Sequence, residues 1–240
     1  MRALDRVVAI LECVAQNSPE GWSLTAIAAV SGINLATTSR LVKDMTAAGL
    51  LVRTEPAAGY RLGPRLVAMG RMASRRGILL DVAPVHMDWL RDRTRETISL
   101  HVRVAGHRVC VAEVQSPEEV RRVVPVGLTL PLHTGATGIA LLAHLSDEDR
   151  TAYLETLDET DRERLADAIE KTRRAGYASA VDALARGVAG LAAPIKAAGS
   201  AVAVVSVSGP SFRWTERRMS TFAPKLVDRA QQLSRDLNQG

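Results

Sequence analysis

The stretch Ser23 to Gly49, SLTAIAAVSGINLATTSRLVKDMTAAG, decides how the first part of the chain folds. Ser23 can cap a first helix, in which Leu24, Ile27, Ala28 and Val30 recur at helical spacing, and Ser31-Gly32 stops that helix where the chain must turn. Asn34 opens a second helix. Its apolar stripe Leu41, Met45 and Ala48 follows the (i, i+4, i+7) pattern, and Ala36, Arg40 and Lys43 share another face. Two short helices meeting at a glycine turn make a helix-turn-helix, and a small, polar, cationic face suits the major groove, where Arg can grip guanine bidentately. Spacing alone fits an ordinary helical pair with a solvated charged face equally well.

The residues that follow favour nucleic acid. Leu50-Leu51-Val52-Arg53, the turn-rich Thr54-Glu55-Pro56-Ala57-Ala58-Gly59 and Tyr60-Arg61-Leu62 predict a β-hairpin, the wing of a winged helix-turn-helix. Residues 1–76 carry ten Arg/Lys against five Asp/Glu, whereas residues 77–240 carry 21 against 21, so the net charge of +5 sits entirely in the N-terminal third. A basic head on a neutral body is the electrostatic footprint of a DNA-binding module joined to one with another task. The candidate DNA-contacting residues are Ser23, Thr25, Asn34, Ala36, Thr37, Thr38, Arg40 and Lys43, with Arg53 and Arg61 on the wing.

With 47% hydrophobic and 24% charged residues, the 240-residue chain has the composition of a globular protein of two modest domains, and 3% aromatics makes its core aliphatic. No run approaches the ~18 apolar residues of a membrane span, and the amphipathic start MRALDRVVAILECVAQ is no signal peptide, so a cytoplasmic location without membrane partners is expected. Leu4, Val7, Val8, Leu11 and Val14 trace the packing face of a first helix. Cys13 and Cys110 match no zinc spacing and read as small buried hydrophobes; no metal or other cofactor is expected.

Beyond the wing, Pro64 opens a predicted linker helix that ends at Ser74-Arg75-Arg76-Gly77, with Arg71, Arg75 and Arg76 either solvated or on phosphate. A helix over 78–95 leads to the strand Thr97–Val104, in which Ile98, Leu100, Val102 and Val104 alternate with Ser99, His101 and Arg103, as on a half-buried strand. Strands are predicted at 109–114 and 120–126. His101 and His107 read as an exposed strand position and a turn rather than metal ligands. A helix start rich in small residues, Pro131 to Gly138, leaves backbone amides free to hold an anion but lacks the ending of a nucleotide loop. Helices follow after Ser146 and over 161–174, then strands at 187–195 and 201–208. Period two puts Val202, Val204, Ser206 and Ser208 on one face, with the hydroxyls free to bond either a ligand or neighbouring backbone. A final helix over 214–237 should kink or break at Pro224.

SLTAIAAVSGINLATTSRLVKDMTAAGLLVR with YRLGPRLVAMG resembles the DNA-binding domain of the IclR family of bacterial transcription regulators, and PLHTGATGIALLAHL, GYASAVDALARGVAGLAAPI and VVSVSGP resemble that family's effector-binding domain in the same order. The resemblance implies an α+β chain: a winged helix-turn-helix domain over 1–63, a linker helix over 64–77, and over 78–240 a GAF-like effector-binding and oligomerisation domain with a twisted antiparallel sheet and surrounding helices. Its expected partners are double-stranded operator DNA, a small carboxylate effector and copies of itself, as a dimer or a dimer of dimers. Carried over by motif, the effector residues are Leu130, Gly135, Ala136, Ala180, Gly190, Ser206 and Ser208. Where the family often has polar groups this chain has Ala180, Ala183, Gly190 and Ile139, which implies a roomier, less polar pocket suited to an aromatic or otherwise bulky carboxylate rather than a very small keto acid. An enzyme would need Ser206 or Ser208 activated by His133, without a nucleophile elbow or an orienting acid. The alternative to a sensor is a C-terminal domain that serves oligomerisation only.

Overall fold

The computed structural model describes residues 2–16, 21–55, 59–75 and 79–239, with the backbone alone at 71–75. The predicted phosphate contacts of Arg71, Arg75 and Arg76, the linker end at Arg76-Gly77 and the hairpin turn at Pro56–Ala58 lie outside the described side chains or residues. Contacts divide the chain into two compact units, 1–77 and 78–240.

The first unit contains α1 (Ala3–Ala15), α2 (Leu24–Ser31), α3 (Leu35–Ala47), β1 (Leu51–Thr54), β2 (Gly59–Leu62) and α4 (Pro64–Arg75). Ser23 Oγ accepts from the Ala26 amide at 3.2 Å, Gly32 closes α2 in the left-handed region at φ 66°, and Asn34 Oδ1 accepts from the Thr37 amide at 2.9 Å. Capped helices on both sides of a left-handed glycine are the helix-turn-helix itself. The antiparallel pair β1–β2 forms the wing and is tied to the segment before α2 by two backbone bonds between Trp22 and Tyr60.

Which residues fill the core differs from the spacing argument. The core is Ile10, Cys13, Val14, Ile27, Ile33, Val42, Met45 and Leu51, while Leu4, Val8 and Val30 stay exposed. In α3 the fully buried residues are Thr38, Val42 and Met45; of the expected Leu41, Met45 and Ala48, Met45 is among them and Leu41 and Ala48 are partly buried. Thr38 can be fully buried because its hydroxyl donates to the carbonyls of Ile33 and Asn34 at 3.3 and 3.0 Å, so no polar group is stranded.

The second unit contains α5 (Leu79–Thr94), β3 (Thr97–Val104), β4 (His107–Val114), β5 (Thr129–Pro131), α6 (Gly135–Ala143), α7 (Asp147–Glu155), α8 (Glu159–Ala175), β6 (Ala178–Val181), β7 (Val188–Ala197), β8 (Ser200–Pro210) and α9 (Glu216–Gln239). Its strands make one six-stranded antiparallel sheet in the order β5-β4-β3-β8-β7-β6. Met87 and Leu90 of α5 and Met219, Leu226 and Leu233 of α9 share one core with Leu100, Leu191, Val205 and Val207. Leu141 and Leu142 of α6 and Leu165 of α8 share another with Ala192 and Val204, on the opposite side of the sheet.

Coverage of both faces overturns the half-buried reading of β3: Ser99 and His101 are buried, so His101 is no exposed strand residue, whereas His107 is exposed at its turn. The segment 120–126 forms no strand. Val124 donates its amide to Glu113 Oε1 and the carbonyls of Arg122 and Val120 are taken by Thr97 Oγ1 and Arg213 Nη2, so side chains satisfy groups that a ladder would otherwise pair. A strand not anticipated, β6, lies in the Ala-rich run after α8. Nor does Pro224 interrupt α9. Pro224 is exposed on the outer side of a helix whose buried row is Met219, Ala223, Leu226, Ala230 and Leu233, and that packing outweighs one lost bond. Cys13 and Cys110 are free and buried, and desolvation raises both thiol pKa values, Cys110 to about 11.

Candidate functional site

Two sites can be built from residues upward, one in each unit. In the first, the outer surface of α3 exposes Asn34, Ala36, Ser39, Arg40 and Lys43, with Thr37 partly covered. Ser23 and Thr25 are exposed at the start of α2, and their hydroxyls bond each other at 3.0 Å. Thr38 does not join this surface, because its side chain is the buried row of the helix. On the wing, Val52 pairs with Arg61 and Arg53 with Tyr60, so strand alternation sends Arg53 and Arg61 to opposite faces of the hairpin.

In the second unit a cleft of about 530 Å³, including its solvent-open part, lies where β3 and β8 meet the start of α6. All seven residues carried over as effector-binding line it: Leu130, Gly135, Ala136, Ala180, Gly190, Ser206 and Ser208. Ala183 lines it too, whereas Ile139 does not and belongs to the core around Leu141. Gly135 adopts φ 64°, which favours glycine, and no side chain caps the helix at Thr134, whose hydroxyl instead donates to the Pro131 carbonyl. The first-turn amides of α6 therefore keep their positive end toward the cavity.

Lining residues that the motifs did not supply include Ser99, His101, Arg108 and Arg122. Arg108 is only 2% exposed and forms no ion pair among the described residues. Its Nη1 donates to the Pro131 carbonyl and to Thr134 Oγ1, and its Nε has no partner. Burial pushes its pKa down to about 10, which still leaves it charged at neutral pH. His101 is pushed down to about 3, first by burial and then by the Arg108 charge, so it is a neutral imidazole. His101 Nε2 meets Ser99 Oγ at 3.0 Å, and Ser99 Oγ meets Ser206 Oγ at 2.8 Å, while Ser208 Oγ has no partner. Among the described residues no Asp or Glu lines this cavity. A buried cation, free helix amides and hydroxyls, with no acid to neutralise them, make a chamber for an anion.

Among the described residues no carboxylate stands behind a histidine that reaches these hydroxyls. His133, the base an enzyme would have needed, bonds the Tyr153 hydroxyl at 2.9 Å and does not line the cavity, and His101 Nδ1 has no carboxylate to orient it. Among the described residues no group of three or more His, Cys, Asp or Glu could hold a metal ion, and no helix is long and apolar enough to cross a membrane.

Residues 3–55 match the IclR helix-turn-helix domain and residues 71–235 match the bacterial transcriptional regulator IclR C-terminal domain. The chain belongs to the IclR family. IclR-family relatives include the HTH-type transcriptional regulator BhcR of Paracoccus denitrificans, 30% identical over 98% of this chain and 86% of BhcR. The HTH-type transcriptional repressor AllR of Escherichia coli is 28% identical over 97% of this chain and 89% of AllR. Among solved structures, an IclR homologue from Microbacterium hydrocarbonoxydans complexed with 4-hydroxybenzoate has TM-score 0.80 and 28% identity, covering 99% of both chains. This protein is thus an IclR-type transcriptional regulator, with an N-terminal helix-turn-helix and a C-terminal α+β domain. Within that IclR frame, His101 shows in the sequence as a polar position inside a predicted strand and Arg108 as a residue just before the next one; nothing local told a solvated arginine from a buried one.

Proposed function

We propose that this IclR-type regulator binds a small carboxylate in the cleft and that the bound carboxylate alters its affinity for operator DNA. The observation that carries the reading is Arg108, a buried guanidinium with no carboxylate of the protein to neutralise it. An ion held in that state costs folding free energy, and an anion arriving from solution removes the cost. The amides at Gly135 and Ala136 and the hydroxyls of Ser206 and Ser208 complete the coordination, and Leu130, Ala180 and Gly190 enclose the organic body. The 4-hydroxybenzoate of the Microbacterium relative supports an aromatic acid as that body. The test is calorimetric titration with benzoate-type acids: Ser206→Ala and Ser208→Ala should each weaken binding by about 0.5–3 kcal/mol. Operator affinity without ligand should persist in both variants, and unchanged ligand affinity in both would place the effector elsewhere.

At the other end, α3 enters the major groove with Asn34, Ala36, Thr37, Arg40 and Lys43, Ser23 and Thr25 approach the backbone from α2, and Arg53 or Arg61 reaches it from the wing. One helix-turn-helix covers one half-site, so the working form is a homo-oligomer in the cytoplasm, a dimer or a dimer of dimers. The exposed Leu4 and Val8, one turn apart on α1, are apolar surface that a second copy could cover. Light scattering that returned only the 25.8 kDa monomer at micromolar concentration would overturn this.

A further inference from the structure

Among the described residues that line the cavity, three buried polar atoms have no partner: Arg108 Nε, Ser208 Oγ and His101 Nδ1. The first two are donors and suit a carboxylate. His101 Nδ1 is different, and the hydrogen bonds behind it decide its character. Ser99 Oγ and Ser206 Oγ stand 2.8 Å apart and either can donate; the one assignment that also uses the long 3.5 Å contact from Ser206 Oγ to the Ser99 carbonyl has Ser99 donating to Ser206. In that assignment Ser99 Oγ accepts from His101, which puts the imidazole proton on Nε2, 3.0 Å away. A neutral ring protonated on Nε2 carries a lone pair on Nδ1. His101 is 3% exposed, so water is a poor substitute partner and a buried acceptor left empty is costly.

A carboxylate oxygen cannot serve that lone pair, since both are acceptors. An ammonium group cannot either, because it would share the cavity with the Arg108 charge and the positive end of α6. An uncharged donor remains, and a hydroxyl is the simplest one that a small carboxylic acid carries. We propose that His101 is a specificity-determining residue that accepts a hydrogen bond from a hydroxyl on the bound carboxylate, so that the cleft selects hydroxylated acids over their deoxy counterparts. This rests on the reading that a carboxylate occupies the cleft. The Ser206–Ser99–His101 chain is then the device that fixes the tautomer, and it spans two strands, β8 and β3, that pair through Ser99 and Ser206.

The test is titration of the full-length protein with matched acids: 3- and 4-hydroxybenzoate against benzoate and 4-methoxybenzoate, and lactate against propionate. Wild type should bind its best hydroxy acid at least about tenfold more tightly than the deoxy partner, and the methoxy acid no better than benzoate. His101→Leu should erase that preference while leaving the deoxy acid within about threefold, and His101→Asn, which keeps a polar atom near the Nδ1 position, should restore part of it. Circular dichroism confirms that the variants are folded. A preference that survives in His101→Leu, or is absent from wild type, overturns the proposal. Arg108→Gln separates the two readings: it should weaken hydroxy and deoxy acids alike. If it changes neither while His101→Leu still erases the preference, the carboxylate reading fails and the hydroxyl contact stands. If no acid of the set binds wild type, both fall.

Discussion

Glu96, with no solvent exposure, receives Arg213 Nε and Nη2 at 2.7 and 2.8 Å, and Arg218 Nη1 stands 3.5 Å from the same carboxylate. The pair joins the start of β3 to the loop after β8, and Arg213 Nη2 also donates to the Val120 carbonyl, holding the irregular segment that brings Arg122 and Val124 to the cleft. Gly209, the neighbour of Ser208, must lack a side chain because a Cβ there would run into the Glu96 carboxylate. Removing one member of a buried pair strands the other, so Arg213→Ala should cost about 3 kcal/mol in urea unfolding. Glu96→Gln combined with Arg213→Met should recover most of it. An Arg213→Ala protein as stable as wild type would show that Arg218 alone neutralises Glu96.

Arg108→Met should act in opposite directions on ligand binding and on the free protein. Replacing an unpaired buried ion by an apolar chain of similar reach is neutral or stabilising. The melting temperature without ligand should therefore hold or rise, and the stabilisation conferred by a bound carboxylate should disappear. Thermal scans with and without the best-binding acid measure both, and a ligand-induced shift that persists in the variant would remove Arg108 from the site.

His101 sets an acid limit. Its pKa is about 3 in the folded protein against 6.5 for the ordinary group, so between those values the unfolded chain binds a proton that the folded one excludes. Stability is fully present above pH 6.5 and is lost as pH falls toward 3, by up to about 1.4 kcal/mol per pH unit from this residue. Urea midpoints measured between pH 7 and 4 should fall less steeply in His101→Asn than in wild type.

Thr38 and Arg40 stand two residues apart on α3 and should fail differently. Thr38→Val removes the hydroxyl that serves the Ile33 carbonyl, while the Asn34 carbonyl keeps the Thr38 amide, so it should lower stability by about 1 kcal/mol and leave the DNA preference of the folded protein intact. Arg40→Ala should leave stability within about 0.5 kcal/mol. It should cost about 1–3 kcal/mol of operator binding if the guanidinium reads a base. Equal losses on operator and random duplex in a gel-shift titration would reassign Arg40 to phosphate.

What could be read from the sequence was local. Ser23 and Asn34 as caps, Gly32 as a stop, the period of two in β8 and the uncapped small-residue start of α6 all depend on residues within a turn or a strand of one another, and side-chain spacing records such relations directly. The ordered motifs also carried the family, and with it the seven residues that line the cleft. Tertiary structure decided which polar residues are inside. His101 looks like the solvated residue of a half-buried strand, and Arg108 carries no local mark, until α6 and α8 cover that side of the sheet, and burial is what makes one a neutral imidazole and the other an unpaired ion. It also decided that Thr38 is buried deeper in the core than Leu41, because a threonine whose hydroxyl finds two carbonyls behaves as a small apolar residue. Desolvation depends on what arrives from 30 or 100 residues away, as Ser206 arrives beside Ser99, and no local pattern of side chains encodes that distance.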